Sequence, residues 1–597
     1  MKERTKSGLE ILQVAAILGV LGDVLLRQTP WGLNVLLFNL AFAGGMLMLL
    51  RRRAPEYLTG QTYALFGALI FFASMFVWRD SIELRVADTI AIIAILSVLF
   101  LPKMKVAAQA ADAFHYVIAF LWSSLSAFFA PFLLVGSDIE WKSQTHTGWS
   151  KHLFSALRGI IIVTPILLVF GALFVAADAV YEGWVQRIVN IAPETVFNHI
   201  LLIVLFSWMS AGYLRGVIID PTNYVAATPE TETTTPDASH VDEMRAEAGE
   251  KSPNLPNHLS ILEHINISDP PNKESAVPDA QAETQPVGSV PSAAEAQAKK
   301  KWNWASIDNT VMPTAFTLGT IEVGVILGLI NLLFLSFVIV QVPYLFGGME
   351  LVQNTPDFKL AEYARRGFGE LVAVSALTLP MLLLGHWLIR KENPFTEKLF
   401  RVLAAIQIGL LFVIMASAAQ RLFLLTGNLG YGLTTIRLYP LIFMTWLAIV
   451  FVWFGATVLR GARKHFAWGA LWSAFLILGA THVLNPDAFI VKTNLALMRE
   501  GRDFDAFYNA HYLSDDAIPA LLNGMTQMSL EDRCEVGSAV HYRYRELGQE
   551  TDFRSTNWSR RAAFRLLREN DGLLHETEGC PSQFHNDKNS DGSDVHR

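Results

Sequence analysis

The feature that most constrains this chain is a series of apolar runs, most of them close to 20 residues long. A helix rises about 1.5 Å per residue, so about 20 apolar residues cross the hydrocarbon core of a bilayer. Of the 597 residues, 52% are hydrophobic and only 17% are charged, which is too apolar for a single water-soluble core. The pattern predicts an all-α, polytopic membrane protein with about 12 transmembrane helices.

The apolar runs fall into two blocks separated by a long polar gap. The first block, residues 1–219, holds about seven spans, and the second, residues 305–484, holds about five. The predicted spans are Leu9–Leu26, Trp31–Leu50, Thr62–Trp78, Val86–Leu101, Phe114–Val135, Leu157–Ala177, Phe197–Ile218, Thr320–Leu345, Phe368–Ile389, Phe400–Leu422, Leu438–Leu459 and Phe466–Leu484.

Two segments outside the blocks differ sharply in composition. Residues 220–304 are rich in Pro, Thr, Ser, Ala and Glu, which predicts a disordered linker because too little apolar surface is available to offset chain entropy. Residues 485–597 predict a small soluble helical tail domain. Asn485 precedes Pro486 as a helix N-cap, Gly501 ends the same helix, and Ser514 precedes two acidic residues. We interpret the tail aspartates as helix caps rather than catalysts.

The orientation follows from the loops that carry Lys and Arg, which stay on the cytoplasmic side. Arg51, Arg52 and Arg53 and then Lys103 and Lys105 lie on alternate loops, which predicts a cytoplasmic N-terminus.

The basic loops further along the chain also favour the cytoplasm, and the two sets disagree by one crossing. Either the run Phe114–Val135 enters and leaves on one side, as its polar WSSLS centre and Pro131 allow, or an extra crossing is hidden there. If the linker is cytoplasmic, the five spans after it place the tail on the other side.

Both cysteines of the chain, Cys534 and Cys580, lie in the tail. They fit a disulfide formed in an oxidising compartment, and two unrelated thiols are the alternative. Together with the loop charges, they favour an extracytoplasmic tail.

Five stretches carry a resemblance to a known family. They are YARRGFGELVAV, SAAQRLFLLTGNLGYGLTTIRLYPLIFMTWLA, VAADAVY, and NPDAFIVKTNLALMREG with the following YLSDDAIPALL. As a set they resemble an uncharacterised family of bacterial polytopic membrane proteins, the domain of unknown function 4153/4173 group. The resemblance implies a bacterial inner-membrane location and brings no substrate, activity or cofactor.

Ionisable residues within apolar runs are the first candidates for a polar or ligand site, because such groups are unfavourable in lipid. Asp23 lies late in the first span and Asp178 at the end of the sixth, so both can also be interface residues. Arg366 and Glu370 are one helical turn apart and can pair, which leaves Arg365 for a headgroup. Membrane anchoring and a functional polar site both explain this last group.

Arg421 and Arg437 bracket a glycine-rich connection, LFLLTGNLGYGLTTI. Two cations beside a tight turn can hold an anionic headgroup or substrate, and arginines that reach to lipid phosphates are the alternative. This is the most suggestive ligand site in the sequence.

The sequence has no Walker, HExxH or GxSxG motif and no closely spaced Cys/His set, so we expect no catalytic site, cofactor or metal. The net charge of −7 is small for this length and predicts no nucleic-acid partner. One hypothesis is transport or binding of a small or lipid-like anionic molecule. The other is a non-catalytic scaffold or signalling component that recruits a protein partner through linker or tail, with membrane lipids around the spans.

Overall fold

The computed structural model describes residues 3–27, 29–139, 193–219, 317–346, 368–389, 394–423, 426, 432–549 and 552–572. Within these ranges the regular structure is helical, and eleven helices are long and apolar enough to cross a membrane. They are α1 (Glu3–Leu26), α2 (Leu33–Arg53), α3 (Gly60–Trp78), α4 (Ile82–Val98), α5 (Ala113–Leu133), α6 (Pro193–Ile218), α7 (Thr320–Phe346), α8 (Phe368–Leu388), α9 (Pro394–Phe423), α10 (Thr435–Thr457) and α11 (Phe466–Leu484).

The all-helical, polytopic prediction is confirmed. Each predicted span coincides with one of these helices, except the run Leu157–Ala177, which lies outside the described residues. The predicted linker, 220–304, also lies outside them. The length of an apolar run therefore located the helices well, because a helix needs about 20 apolar residues to cross the hydrocarbon core of a bilayer.

The bundle has two ends, which we call the basic end and the tail end. The basic end is marked by Arg53 at the end of α2, which pairs with Glu10 at 2.7 Å and Glu3 at 2.8 Å near the start of α1. At the same end, Lys103 after α4 donates to the carbonyl of Ile219 after α6. The tail end is the opposite end, where the short α1–α2 and α3–α4 turns contact the C-terminal tail domain.

Helix α5 begins and finishes at the basic end. Before its start, the backbone N–H of Gln109 donates to Gln61 Oε1 at the start of α3, at 3.3 Å. After its end, Asp138 accepts from Arg4 Nε at 2.8 Å and from Arg215 Nε at 2.7 Å. Arg4 opens α1 and Arg215 lies in the last turn of α6, so α5 returns to the end at which it started. This favours a segment that enters and leaves on one side.

Close backbone contact with α6 holds α5 in this position. Gly212 and Gly216 are one turn apart on α6. A Cβ on Gly212 would lie 2.4 Å from the carbonyl oxygen of Ala127, and one on Gly216 would lie 2.8 Å from Ser126 Cβ. Small residues at a contact let two helices approach this closely in lipid. The face of α5 that packs inward is correspondingly small and includes Ala119, Ser123, Ala127 and Ala130.

The opposite face of α5 is large and apolar. It exposes Phe114, Val117, Phe120, Leu121, Trp122, Leu125, Phe128, Phe129 and Phe132. Pro131 lies in the last turn, and a π-helical turn over Leu134–Asp138 follows it. Proline and π turns are usual sites of helix bending, so this stretch is suited to bring Asp138 back to Arg4.

Helix α11 joins the two blocks. Its middle residue Phe475 packs in the core of the first block, with its ring centroid 5.1 Å from that of Phe72. Its first residue Phe466 packs in the core of the second block, 5.6 Å from Phe454. The described parts of both blocks and of the tail accordingly belong to one compact unit.

In the part of the tail domain that the structure describes there are five α-helices: α12 (Pro486–Arg499), α13 (Ala506–His511), α14 (Ile518–Met525), α15 (Leu530–Gln549) and α16 (Trp558–Glu569). The predicted boundaries of α12 are confirmed. Asn485 is left-handed, with φ 54°, and its side chain accepts from the N–H of Ala488 at 3.3 Å, while Gly501 follows the helix with φ 83°. These helices pack around a hydrophobic core that includes Ile490, Leu521 and Val540.

Candidate functional site at the junction of tail and bundle

The α3–α4 turn, Arg79–Asp80–Ser81, supplies the first half of the site. It joins two spans through only three residues, and Asp80 and Ser81 directly precede α4. The first N–H groups of a helix have no acceptor within that helix, so they attract an anion.

Asp516 of the tail domain is that anion. Only 2% of its surface is exposed. It accepts from the N–H of Asp80 at 2.7 Å and from the N–H of Ser81 at 3.1 Å. Ser559 Oγ donates to it at 2.5 Å, and Arg79 lies 3.4 Å away. One carboxylate thus ties the tail to the bundle through three partners, Arg79, Asp80 and Ser81, while Ser559 holds it from within the tail.

The local sequence of the tail positions Asp516. Ser514 caps the 3₁₀ turn Asp515–Ala517 by accepting from the N–H of Asp516 at 3.3 Å, which confirms the predicted cap. Ser514 is held in turn by Asp487 at the start of α12, which accepts from its N–H at 2.9 Å and from its Oγ at 2.5 Å. The predicted capping role is seen at Asp505, which caps α13 by accepting from the N–H of Tyr508 at 2.8 Å, whereas Asp516 binds the bundle.

Two carboxyl groups at the junction have raised pKa values. Burial raises the pKa of Asp487 to about 6, against the opposing effect of the Ser514 hydrogen bonds. Burial likewise raises the pKa of Asp515 to about 6, helped by the charge of Asp80 and opposed by Arg543. Both groups lie outside the spanning helices.

Alternating charges neutralise the surroundings of Asp516. Asp80 pairs with Arg85 within the bundle and with Arg560 of the tail, the latter at 3.3 Å. Arg560 is only 4% exposed, and it also donates to the carbonyl oxygen of Trp31 at 3.2 Å. Pairing with opposite charges offsets much of the free energy that a buried charge loses when it leaves water.

A second contact lies beside the α1–α2 turn. The N–H of Leu33 donates to the carbonyl oxygen of Thr556 at 3.0 Å. Asn557 donates through Nδ2 to the carbonyl oxygens of Phe76 and Arg79, at 2.9 and 2.8 Å. Gly32 is required here, because a Cβ would lie 2.4 Å from the Thr556 oxygen.

A third contact reaches the second block. Asn494 accepts from the N–H of Leu433 through Oδ1 at 2.6 Å and donates to its carbonyl oxygen through Nδ2 at 3.0 Å. Tyr508 Oη accepts from the N–H of Thr435, the first residue of α10, at 2.7 Å. The tail is therefore bonded to both blocks.

Below the junction, a histidine–aspartate pair joins α4 to α11. His482 Nε2 lies 2.9 Å from Asp88 Oδ1, and their side chains are 0% and 1% exposed. The carbonyl oxygen of His482 accepts from Arg79 Nε at 2.9 Å. This pair extends the polar network from the junction into the outer turns of the bundle.

The residues that the sequence singled out do not assemble at this junction. Asp23 is buried against His199 Nδ1 at 2.6 Å, with Arg27 at 3.9 Å. Glu370 is exposed in the first turn of α8. Arg421 is buried in the last turn of α9.

The remaining predicted residues have mixed outcomes. Arg437 donates to the carbonyl oxygen of Gly432, within the turn that it follows. Arg365, Arg366 and Asp178 lie outside the described residues. Cys534 is buried in α15, while Cys580 lies outside the described residues, so the disulfide stays a prediction.

Sequence reasoning missed Asp80, Asp88 and Asp516 as members of one site. Asp88 carried a usable signal, since it is an acid inside an apolar run. Asp516 carried only the signal of a cap. No local pattern indicates its contact with Asp80, which lies 436 residues earlier in the chain.

Comparison with known families agrees with the resemblance seen in the sequence. The family model described as Domain of unknown function (DUF4153) matches residues 66–240 and 291–524. The chain belongs to this family. No curated protein and no solved structure matches the chain. The family match includes the α3–α4 turn and Asp516, whereas Asn557 and Arg560 lie beyond it.

Across the described ranges, no group of three or more His, Cys, Asp or Glu side chains is arranged to hold a metal ion. The junction can bind and orient the tail domain through a buried carboxylate and its amide donors. The helical tail domain is thus fixed to one end of the bundle of membrane-spanning helices.

Proposed function

We propose that this protein is a non-catalytic scaffold of the bacterial inner membrane, in which the bundle holds the tail domain in a fixed position for a partner. The observation that carries the proposal is the buried Asp516 carboxylate, which bonds the tail to the α3–α4 turn. A domain fixed in this way has a constant position relative to the membrane, which favours recognition by another envelope protein.

The positions of basic residues support an extracytoplasmic tail. Arg53, Lys103 and Arg215 all lie at the basic end of the bundle. Loops rich in Lys and Arg remain in the cytoplasm, so the basic end would face inward. The tail domain, at the opposite end, would then face the periplasm or cell exterior.

The pairing of intramembrane charges favours a scaffold over a transporter. Asp23 pairs with His199 and Asp88 with His482, each within one pair of neighbouring helices near the tail end. A transport path needs polar groups that continue across the midplane. Contacts from the tail to both blocks would also have to break during alternating access.

Transport or binding of a small or lipid-like anionic molecule is the second candidate, and one observation favours it. Gln407 lies within α9 with 0% exposure, and neither its Oε1 nor its Nε2 has a hydrogen-bond partner. One turn earlier, the carbonyl oxygen of Leu403 accepts from Asn331 of α7 at 3.0 Å. An unsatisfied buried amide is unfavourable, and a polar ligand would satisfy it.

Complementation of a deletion strain separates the two functions. The test variants are Asp516→Asn, which loosens the tail, and Gln407→Leu, which removes the buried amide. The readout is growth in detergent-containing or low-osmolarity medium, with expression measured by immunoblotting. A scaffold predicts that Asp516→Asn fails and Gln407→Leu succeeds. The opposite pattern would refute the scaffold and support transport. Asp503→Asn, at an exposed tail position, is the matched control.

A further inference from the structure

Helix α16 of the tail carries a stripe of one aromatic and three basic residues. Trp558, Arg561, Arg565 and Arg568 are all exposed. Their spacing of three, four and three residues places them on one face of the helix. The opposite face holds the buried residues Arg560, Ala563 and Leu567. We call the exposed set the Trp–Arg stripe.

The hydrogen bonds of Asn557 place the start of this stripe at the level where α3 leaves the bundle. Asn557 bonds to the carbonyl oxygens of Phe76 and Arg79 at the end of α3. Trp558 is the next residue and is 64% exposed. Its level is therefore that of the lipid headgroups around the spans.

Other exposed aromatic residues lie at the same level. Trp31 is 42% exposed in the α1–α2 turn and donates to the carbonyl oxygen of Leu26 at 3.2 Å. Phe553 is 67% exposed and precedes Arg554, which donates to the carbonyl oxygen of Val24 at 2.5 Å. Tryptophan and other aromatic residues concentrate where a membrane protein meets the headgroups.

We propose that the Trp–Arg stripe binds anionic phospholipids of the leaflet next to the tail domain. Arginines pair with phosphate groups through several N–H donors. Helical rise places Arg561 about 5 Å and Arg565 about 11 Å along the axis from Trp558. The first distance is well within the screening length of about 10 Å at 0.1 M salt, and the second is about equal to it. The negative charge of the leaflet therefore attracts Arg561 and Arg565 even if the axis of α16 is perpendicular to the membrane.

Charge complementarity favours anionic lipid as the binding partner of the Trp–Arg stripe. Among the described residues, no acidic side chain forms a salt bridge with Arg561, Arg565 or Arg568, and Arg561 donates to Thr556 Oγ1 at 2.8 Å. A basic amphipathic helix with a tryptophan at headgroup level has the chemistry of a membrane-surface helix. The proposal holds whichever leaflet the tail faces, and it does not depend on the scaffold function.

The test replaces Phe553 by the photo-crosslinking residue p-benzoylphenylalanine in the full-length protein. The protein is placed in nanodiscs of equimolar phosphatidylglycerol and phosphatidylcholine, irradiated, and analysed by mass spectrometry for lipid adducts. An arginine near an anionic surface contributes about a fivefold preference. We therefore expect phosphatidylglycerol adducts to exceed phosphatidylcholine adducts by about tenfold or more.

Paired variants identify the source of the preference. Arg561→Gln with Arg565→Gln removes two of the three stripe arginines and should lower the adduct ratio by at least about fivefold. Arg502→Gln with Arg545→Gln removes the same charge from exposed tail positions and should leave the ratio unchanged. Protein adducts in place of lipid adducts, or a ratio equal in both double variants, would overturn the proposal.

Discussion

Replacement of Asp516 by alanine should release the tail domain from the bundle. The change removes the acceptor of two backbone N–H groups, on Asp80 and Ser81, and the partner of Arg79. Each buried donor left without a partner is unfavourable by about 1–3 kcal/mol. Removal of one member of a buried charged pair typically destabilises by about 3–5 kcal/mol.

We therefore expect the docked state to lose about 4 kcal/mol, which is a change of about a thousandfold in the ratio of docked to undocked protein. Asp516→Asn keeps the shape and one acceptor oxygen, so its effect should be about half as large in free energy.

The assay is limited proteolysis of the full-length protein in nanodiscs, followed through a C-terminal epitope. When docking is fast relative to cleavage, the cleavage rate follows the undocked population. The rate for Asp516→Ala should then rise by orders of magnitude, with Asp516→Asn in between. Asp503→Asn, at an exposed position, should match the wild type. Cleavage of Asp516→Ala within threefold of the wild-type rate would refute the docking role of this carboxylate.

Three further predictions concern titration, packing and covalent structure. Because the docked pKa of Asp487 is raised to about 6, its charge weakens docking above that pH and its protonation strengthens docking on acidification. Between pH 7.5 and 5.5, cleavage of the wild-type tail should therefore slow by about fourfold more than cleavage of the Asp487→Asn tail. Equal slowing of the two tails would contradict this role of Asp487. Gly212→Ala should destabilise the protein by about 1–3 kcal/mol through a clash with α5, seen as a lower Tm in detergent, whereas Gly409→Ala meets open space and should not lower it. If Cys534 and Cys580 are bridged, mass spectrometry under non-reducing conditions should recover one linked peptide, and two free thiols would exclude the bridge.

The sequence predicted the helices because each depends on a contiguous run of residues. The caps at Asn485 and Ser514 were predictable for the same reason, since a cap and its helix are adjacent in the chain. Even the unusual path of α5 left a trace, as a mismatch between the basic loops on either side of it.

Local sequence patterns could not predict the junction between the tail and the bundle. Asp516 looks like any acidic residue in a first helical turn until the fold brings it to Asp80 and Ser81. His482 is a polar residue inside an apolar run, but its partner Asp88 lies 394 residues away. Contacts of this kind are decided by packing of the whole bundle, for which one sequence carries no periodic signal.

Helix α5 starts and ends at the same end of the bundle, and its path relative to the membrane can be measured directly. Single cysteines at Lys105 and Ser137, just before and after α5, can be introduced into a variant that lacks Cys534 and Cys580. Labelling with a membrane-impermeant maleimide then reports the side of each position in sealed vesicles of known orientation. Both positions should react from the same side, and a cysteine at Asp503 in the tail should react only from the other. Reaction of positions 105 and 137 from opposite sides would contradict the account.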